Sequence, residues 1–432
     1  MANSLTSNVT NKLMEAFIPA FESKRKLSMA ISTNAQNLVN GFDESTGDTK
    51  GAVRIKRPLQ FVPQRTADGD FTSGDTNPVI VGTAPAEVGQ YATVFIEMTD
   101  VERALESKNV AESMLQLVDP AAEDICNEIE SELGDRMMKA AAFASGNPQT
   151  PIADWLDIAS AGTKLDAFGL PAGRKYCALS TFDGLPLANE QKGLAVNPEV
   201  GSALAKAAIA NNYAGFDNVF TTDNMPSFTS GTATTGITVL AAPTQTYNAV
   251  KDSYEQVITL TGGGIGNTLT AGTTLVISSV NMVHFRNRKP VKGSAGAFIP
   301  LTVSLLEDIT FDGSNNATAT VSGCGVFETG VDGAYNTIDR LIQAGDTVTI
   351  QEAASTTYGP GLAFHEGFFA MGSIKLKTLD ATDSSFTTKD GLNFRISRFA
   401  NGVANKHQIR IDFRPTFACL NPFFGEKVYG VA

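Results

Sequence analysis

The sequence predicts an α+β fold, and three observations carry that prediction. A long amphipathic helix is written into residues 119–145, a turn-rich extended stretch fills 36–98, and a Thr-, Gly- and Val-rich stretch over 229–356 holds a series of strand-like runs. The 432 residues allow about two to four domains at roughly 100 to 200 residues each. With 18% charged and 42% apolar residues, the chain suits a globular protein better than a disordered or membrane-spanning one.

From the N-terminus, Val9, Leu13, Phe17 and Phe21 recur at i+4 and predict a helical face, which Pro19 should kink or end. The basic run Lys24, Arg25, Lys26 that follows is expected to be a solvated patch closing an amphipathic arm. Such a helix packs on its own domain or docks on another subunit, and composition does not choose between the two. Over 36–98 the turn residues Pro58, Pro63, Gly69, Gly74, Pro78 and Gly82 dominate, while Val53, Ile55, Leu59 and Phe61 suggest one face of an interrupted strand. A stretch this long exceeds an ordinary connection, so a long hairpin or extended arm is expected.

A helix over 100–117 should precede the main one, which Asp119 and Pro120 are placed to open and Gly146 and Pro148 to stop. Ile125, Ile129, Leu133 and Met137 form its i+4 series. At 1.5 Å per residue the rod would be roughly 40 Å long. Thr150 and Pro151 suggest the start of another helix carrying Ile152, Trp155 and Ile158, with Trp155 in its core; a strand follows near 176–179, and 201–211 reads as helical. Six strand runs then fall at 237–240, 257–260, 275–280, 301–306, 317–321 and 347–350, the pattern of an inserted β-barrel or sandwich. Further strands are expected at 364–371, 374–376, 392–396 and 408–413.

With 45 acidic against 33 basic side chains the net charge is −12, which argues against a duplex reader that grips phosphates. Cys126, Cys177, Cys324 and Cys419 are far apart with no CxxC pair, so buried free thiols are expected. The start Met1, Ala2, Asn3, Ser4 has no basic segment before an apolar core, and the product is expected in the cytoplasm. Thr261 to Gly266 superficially matches a phosphate loop, but no Lys followed by Ser or Thr closes it and a hairpin turn is favoured. His284, His365 and His407 lie in no metal-binding spacing, and a hydrogen-bonded structural histidine is the favoured reading. Carboxylate pairs such as Glu128 with Glu132, or Glu366 with Asp412, are uninformative among so many acids. No catalytic, cofactor-binding or metal-ligating set is assigned.

The run Ala214, Gly215, Phe216, Asp217, Asn218, Val219, Phe220, reaching Met225 and Pro226, resembles the major coat proteins of tailed bacteriophages, in the P22-type branch of the HK97-like fold. Ala233 to Val239 looks like the entry strand of that branch's inserted domain, Leu362 to Ala370 like the strand where the main fold resumes, and Gly391 to Asn393 with Arg410 to Pro415 like its closing strands. The resemblance implies an N-terminal arm (1–35), an extended E-loop (36–98), a peripheral domain with the spine helix (99–155), a first axial part (156–228), the inserted β-barrel (229–356) and returning strands (357–432). It implies a capsid protein that assembles with itself as pentamers and hexamers into an icosahedral procapsid and then an expanded head. Scaffolding protein, portal and a decoration protein are the further partners it suggests, enclosing double-stranded DNA without sequence-specific binding and with no membrane, in a virion assembled in the host cytoplasm.

Interface candidates are Leu13, Phe17, Phe21, Lys24, Arg25, Lys26, Val53, Ile55 and Phe61. One departure concerns the amino-terminal helix, where Lys12 interrupts and only Glu15 and Glu22 offer the negative charge the family uses toward scaffolding protein. The alternatives to a coat protein are a β-rich binding or adhesion protein, another virion structural protein, and an enzyme whose residues meet only in three dimensions.

Overall fold

A computed structural model describes residues 5–31, 53–72, 74–99, 110–194, 200–201, 203, 206, 208–293, 296–378, 383–403 and 406–431. The chain divides into two compact units, the first made of 1–55, 85–133 and 369–418, the second of 56–84, 134–368 and 419–432. Both mix helix and strand, as an α+β fold requires.

In the first unit the N-terminal helix Leu5–Lys24 runs through Pro19 without ending there. The proline removes one backbone donor, but Phe17 and Phe21 on either side are buried against Phe394, at ring-centroid distances of 5.1 and 4.8 Å, and this packing outweighs the missing bond. The helix therefore packs on its own unit. A four-stranded antiparallel sheet, ordered 384–387, 393–401, 406–413 and 92–99, supplies Phe394 and Phe413 to that core. A second sheet orders 53–56, 83–88, 415–419 and 369–373.

The main helix spans Val110–Ala140 as one element with Pro120 inside it, so the expected break at Asp119 does not occur. Buried Val118, Ala121 and Ala122 flank the proline and hold both sides of it in one helix. Residues 100–109 of the expected preceding helix lie outside the described residues. The stripe Ile125, Ile129, Leu133, Met137 is buried as its spacing predicted. The helix stops at Ala140, short of the expected 145, because the small apolar run after it becomes the strand Phe143–Ser145 paired in parallel with Gly425–Val428. At 1.5 Å per residue its 31 residues make a rod of about 46 Å.

In the second unit a five-stranded mixed sheet has the order 143–145, 425–428, 361–365, 175–180 and 218–222. The helix Trp155–Ala167 packs on the strands 143–145 and 425–428, and Thr181–Glu190 on 175–180 and 218–222. The first helix starts after Asp154 rather than at Thr150 and Pro151, because the Asp157 carboxylate accepts from the backbone N–H groups of Ala153 (2.8 Å) and Asp154 (2.9 Å). Trp155 sits on the exposed first turn and is not a core residue. The 201–211 helix falls partly outside the described residues, and 208–210 are not helical.

All six strand runs of the inserted region form one sheet, ordered 348–350, 274–281, 300–305, 316–322, 255–261 and 238–241. Its two edges meet through the bridge Thr238 to Thr347 and the bonds Val348 N–H to Ile237 O and Gly345 N–H to Val239 O, so the sheet closes into a barrel. Leu260, Ile277, Leu301, Val303, Ala319 and Val321 fill its interior. Thr261 to Gly266 is a turn but not the expected hairpin, because the strand before it, 255–261, pairs with 238–241 and 316–322 while 268–269 after it pairs with 309–310. Gly262, Gly264 and Gly266 take positive φ, which suits glycine, and Asn315 binds the N–H groups of Gly262 and Gly264. The expected single strand over 364–371 is two, Gly361–His365 and Phe369–Ser373, in different sheets and separated by a turn closed by Phe368 N–H to His365 O. Residues 374–376 form no strand.

Candidate assembly surface

Within the basic run after the N-terminal helix, Lys24 and Lys26 are exposed as a solvated patch requires, and Arg25 alone departs from it. Arg25 is 3% exposed: its guanidinium donates to Asp390 at 2.7 Å and to Ser28 Oγ at 2.8 Å. A buried guanidinium needs such partners, and the chain supplies them internally. Lys24 pairs with Glu123 at 2.9 Å on the exposed side, and Lys26 is exposed.

Glu130, buried on the main helix, accepts from the backbone N–H groups of Lys26 (3.3 Å), Leu27 (2.6 Å) and Ser28 (2.9 Å). It thereby caps the short helix Leu27–Ala30, which has no capping side chain of its own. Its role had no local sequence signal, since donors and acceptor are about a hundred residues apart. Phe17 and Phe21 are likewise internal core residues. Leu13 is on the N-terminal helix, and Val53 and Ile55 on the strand Val53–Lys56. The structure thus gathers Phe17, Phe21 and Arg25 into an intramolecular anchor.

Phe61 differs. It belongs to the stretch 57–82, whose two passes lie opposite one another as a hairpin of the second unit. Arg57 N–H donates to Gly82 O at 2.8 Å, Val62 N–H to Asn77 Oδ1 at 2.9 Å, and Asn77 Nδ2 back to Val62 O at 3.1 Å. Gln64 then bonds Asp75 O. On the outer side Leu59, Phe61 (49% exposed), Val79 and Val81 face solvent, and Phe71 (50%) is exposed at the tip. Apolar side chains exposed together on one arm make it the candidate contact surface.

Several titratable groups are held in hydrogen bonds of the fold. His365 is buried, accepts from Gly367 N–H at its Nδ1 and is pushed below the ordinary histidine value by burial. His284 Nδ1 accepts from the N–H groups of Arg286 and Asn287, and the His407 side chain lies outside the described residues. Burial alone would raise Asp412, yet hydrogen bonds from Thr93, Arg395 and Arg410 outweigh it and hold the carboxyl low. All four cysteines are free thiols, three buried and Cys419 partly so. Among the described residues no group of His, Cys, Asp and Glu is arranged to hold a metal, and no helix is long and apolar enough to cross a membrane.

Comparison with known proteins gives the class: a phage coat protein. A family model described as P22 coat protein, gene protein 5, matches residues 1–430. The chain is also 31% identical over 433 residues to the major capsid protein of Acyrthosiphon pisum secondary endosymbiont phage 1, covering 100% of both. It belongs to the P22 coat protein family. Among solved structures it is similar to the capsid of Ralstonia phage GP4 (8% identity, 88% of this chain and 85% of that one, TM-score 0.43). A Mycobacterium phage Che8 structure also matches (9%, 92% and 88%, TM-score 0.42). The family match displaces the adhesion-protein alternative.

Proposed function

We propose that the chain builds the icosahedral shell of a tailed phage head, meeting copies of itself in five-fold and six-fold rings with the HK97-like division of labour. In this reading 1–35 is the N-terminal arm, 36–98 the extended loop, 99–155 the peripheral domain with its spine helix, 156–228 the first axial part, 229–356 the inserted barrel and 357–432 the returning strands. Scaffolding protein and portal guide assembly in the host cytoplasm, the procapsid expands to the mature head, and a decoration protein is a further candidate partner.

The observation that supports this reading is the exposed apolar arm: Leu59, Phe61, Phe71, Val79 and Val81 stand exposed on one hairpin. Many weak contacts of this kind add through multivalency in a closed shell. The net charge of −12 suits a wall that encloses DNA without gripping it. Phe17, Phe21 and Arg25 act in assembly indirectly, by setting the start of the chain on its own unit, while Phe61 makes contact. Negative-stain microscopy of the chain expressed with its scaffolding protein tests the proposal. Closed shells, aberrant shells or capsomer rings are expected, and a stable monomer under those conditions overturns it.

A further inference from the structure

The hairpin 57–82 lacks a backbone ladder through its middle, and its sequence explains why. Pro58, Pro63 and Pro78 have no N–H to donate, so strand pairing between the two passes cannot be completed. Side chains replace the missing bonds. Asn77 and Gln64 do so near the tip, and at the centre the replacement comes from the region of the inserted barrel. The Tyr335 hydroxyl accepts from Gln60 N–H at 3.0 Å and donates to Ile80 O at 3.3 Å, joining the outgoing and returning passes through one oxygen. A phenol has the donor and the acceptor for this double task.

Tyr335 is itself fixed. It is buried and stacked on Tyr247 with centroids 3.7 Å apart and planes within 1°. Gly82 passes so close to the Tyr247 hydroxyl that any side chain there would collide with it. Arg288 adds a second tie, donating to Ala334 O at 2.8 Å and to Phe61 O at 3.3 Å. The exposure pattern matches this fastening. Gln60, Val62 and Ile80 turn inward, and Val62 and Ile80 pack on the core, while their neighbours Leu59, Phe61, Val79 and Val81 turn outward. Whatever fixes Gln60 and Ile80 therefore fixes the outward presentation of the four apolar residues.

We infer that Tyr335 is a positioning residue, a rivet through which the inserted region presets the 57–82 arm, so that its apolar face is already in place when a second copy of the chain arrives. This deepens the assembly reading above and rests on it. Preorganisation of this kind lowers the ordering cost of each contact.

The test is Tyr335→Phe in the full chain, which removes both hydrogen bonds and keeps the stack on Tyr247. Hydrogen exchange of peptides covering 57–64 and 77–82 should accelerate about tenfold, with barrel peptides unchanged. Particle yield with scaffolding protein should fall several-fold. Unchanged exchange in the arm overturns the rivet, and faster exchange with undiminished particle yield overturns its role in assembly. If Tyr335→Phe fails to fold, Asn77→Ala, which opens the same hairpin near its tip, carries the same two readouts. Failure of wild-type protein to form particles would instead count against the coat reading, since the exchange measurement needs no assembly.

Discussion

Lys427 Nζ donates to Ser304 Oγ at 2.8 Å, joining the C-terminal strand of the five-stranded sheet to a barrel strand in an interior with no exposure at either residue. The same amine donates to Gly272 O at 2.5 Å and Thr274 Oγ1 at 3.3 Å, so all three of its hydrogens are engaged. Burial lowers it to about 8, with the buried Glu352 carboxylate acting the other way. Lys427→Met fills the same volume but strands two hydroxyls and leaves Glu352 without a counter-charge. Urea denaturation should show a loss of about 3 kcal/mol, the usual order when a buried, hydrogen-bonded charged group is taken from its partners. Adding Glu352→Gln should recover part of it. An unchanged midpoint for Lys427→Met would show that the amine does not fasten the barrel.

Asp412 plays the corresponding part in the first unit. Its buried carboxylate accepts from Arg395 Nη2 at 2.6 Å, Arg410 Nε at 2.7 Å and Thr93 Oγ1 at 2.7 Å. Asp412→Asn should cost about 3 kcal/mol at neutral pH, because Arg395 is left buried and unpaired. The carboxyl is held below its ordinary value, so its stabilisation is present above the unfolded value and is lost as pH falls through the lower folded one. Denaturation at pH 7 and pH 3 checks both statements: the variant's deficit should shrink at the acid end.

Glu130 offers a separable test of the N-terminal anchor. Glu130→Ala removes the acceptor of three backbone N–H groups and should cost about 1 to 3 kcal/mol, whereas Glu130→Gln keeps one oxygen and should lose less. The structural readout is trypsin cleavage after Lys24, Arg25 and Lys26, which should quicken in Glu130→Ala. Equal cleavage of variant and wild type would mean that the cap does not secure this segment.

The features legible in the sequence were those governed by local periodicity. The stripe from Ile125 to Met137 and the six barrel strands announce themselves because alternate or every fourth residue must be apolar to reach a core. Prolines mislead on boundaries: Pro19 is expected to kink or end its helix and Pro120 to open one, yet Phe17, Phe21, Ala121 and Ala122 supply burial that outweighs one lost bond. Within the charge run 24–26, Arg25 misleads for a related reason. Arg25 is buried by Asp390, 365 positions away, and no window of sequence contains both. Tyr335 was invisible on the same ground, since its partners Gln60 and Ile80 lie far upstream. What the sequence did supply was the reason a rivet is needed, in the prolines at 58, 63 and 78.

The buried thiols predict how the protein responds to alkali. Cys126, Cys324 and Cys419 are pushed up to about 12 from the ordinary 9.0, chiefly by burial, and Cys177 is raised as well for the same reason. In the unfolded chain these thiols ionise near pH 9, so between 9 and the folded values the unfolded state binds fewer protons than the folded one. Stability from this source is complete below pH 9 and falls as pH rises, at up to about 1.4 kcal/mol per pH unit for each thiol. Lys427 works in the opposite sense, adding stability as pH climbs from about 8 toward 10.5, but it is one group against four thiols. The net slope should therefore turn downward above pH 9. Denaturation under reducing conditions at pH 7.5, 9 and 10 measures it. Cys126→Ala with Cys324→Ala should lower stability at pH 7.5 through the lost packing yet flatten the alkaline decline. A decline as steep as that of wild type would assign the alkaline sensitivity to groups other than these thiols.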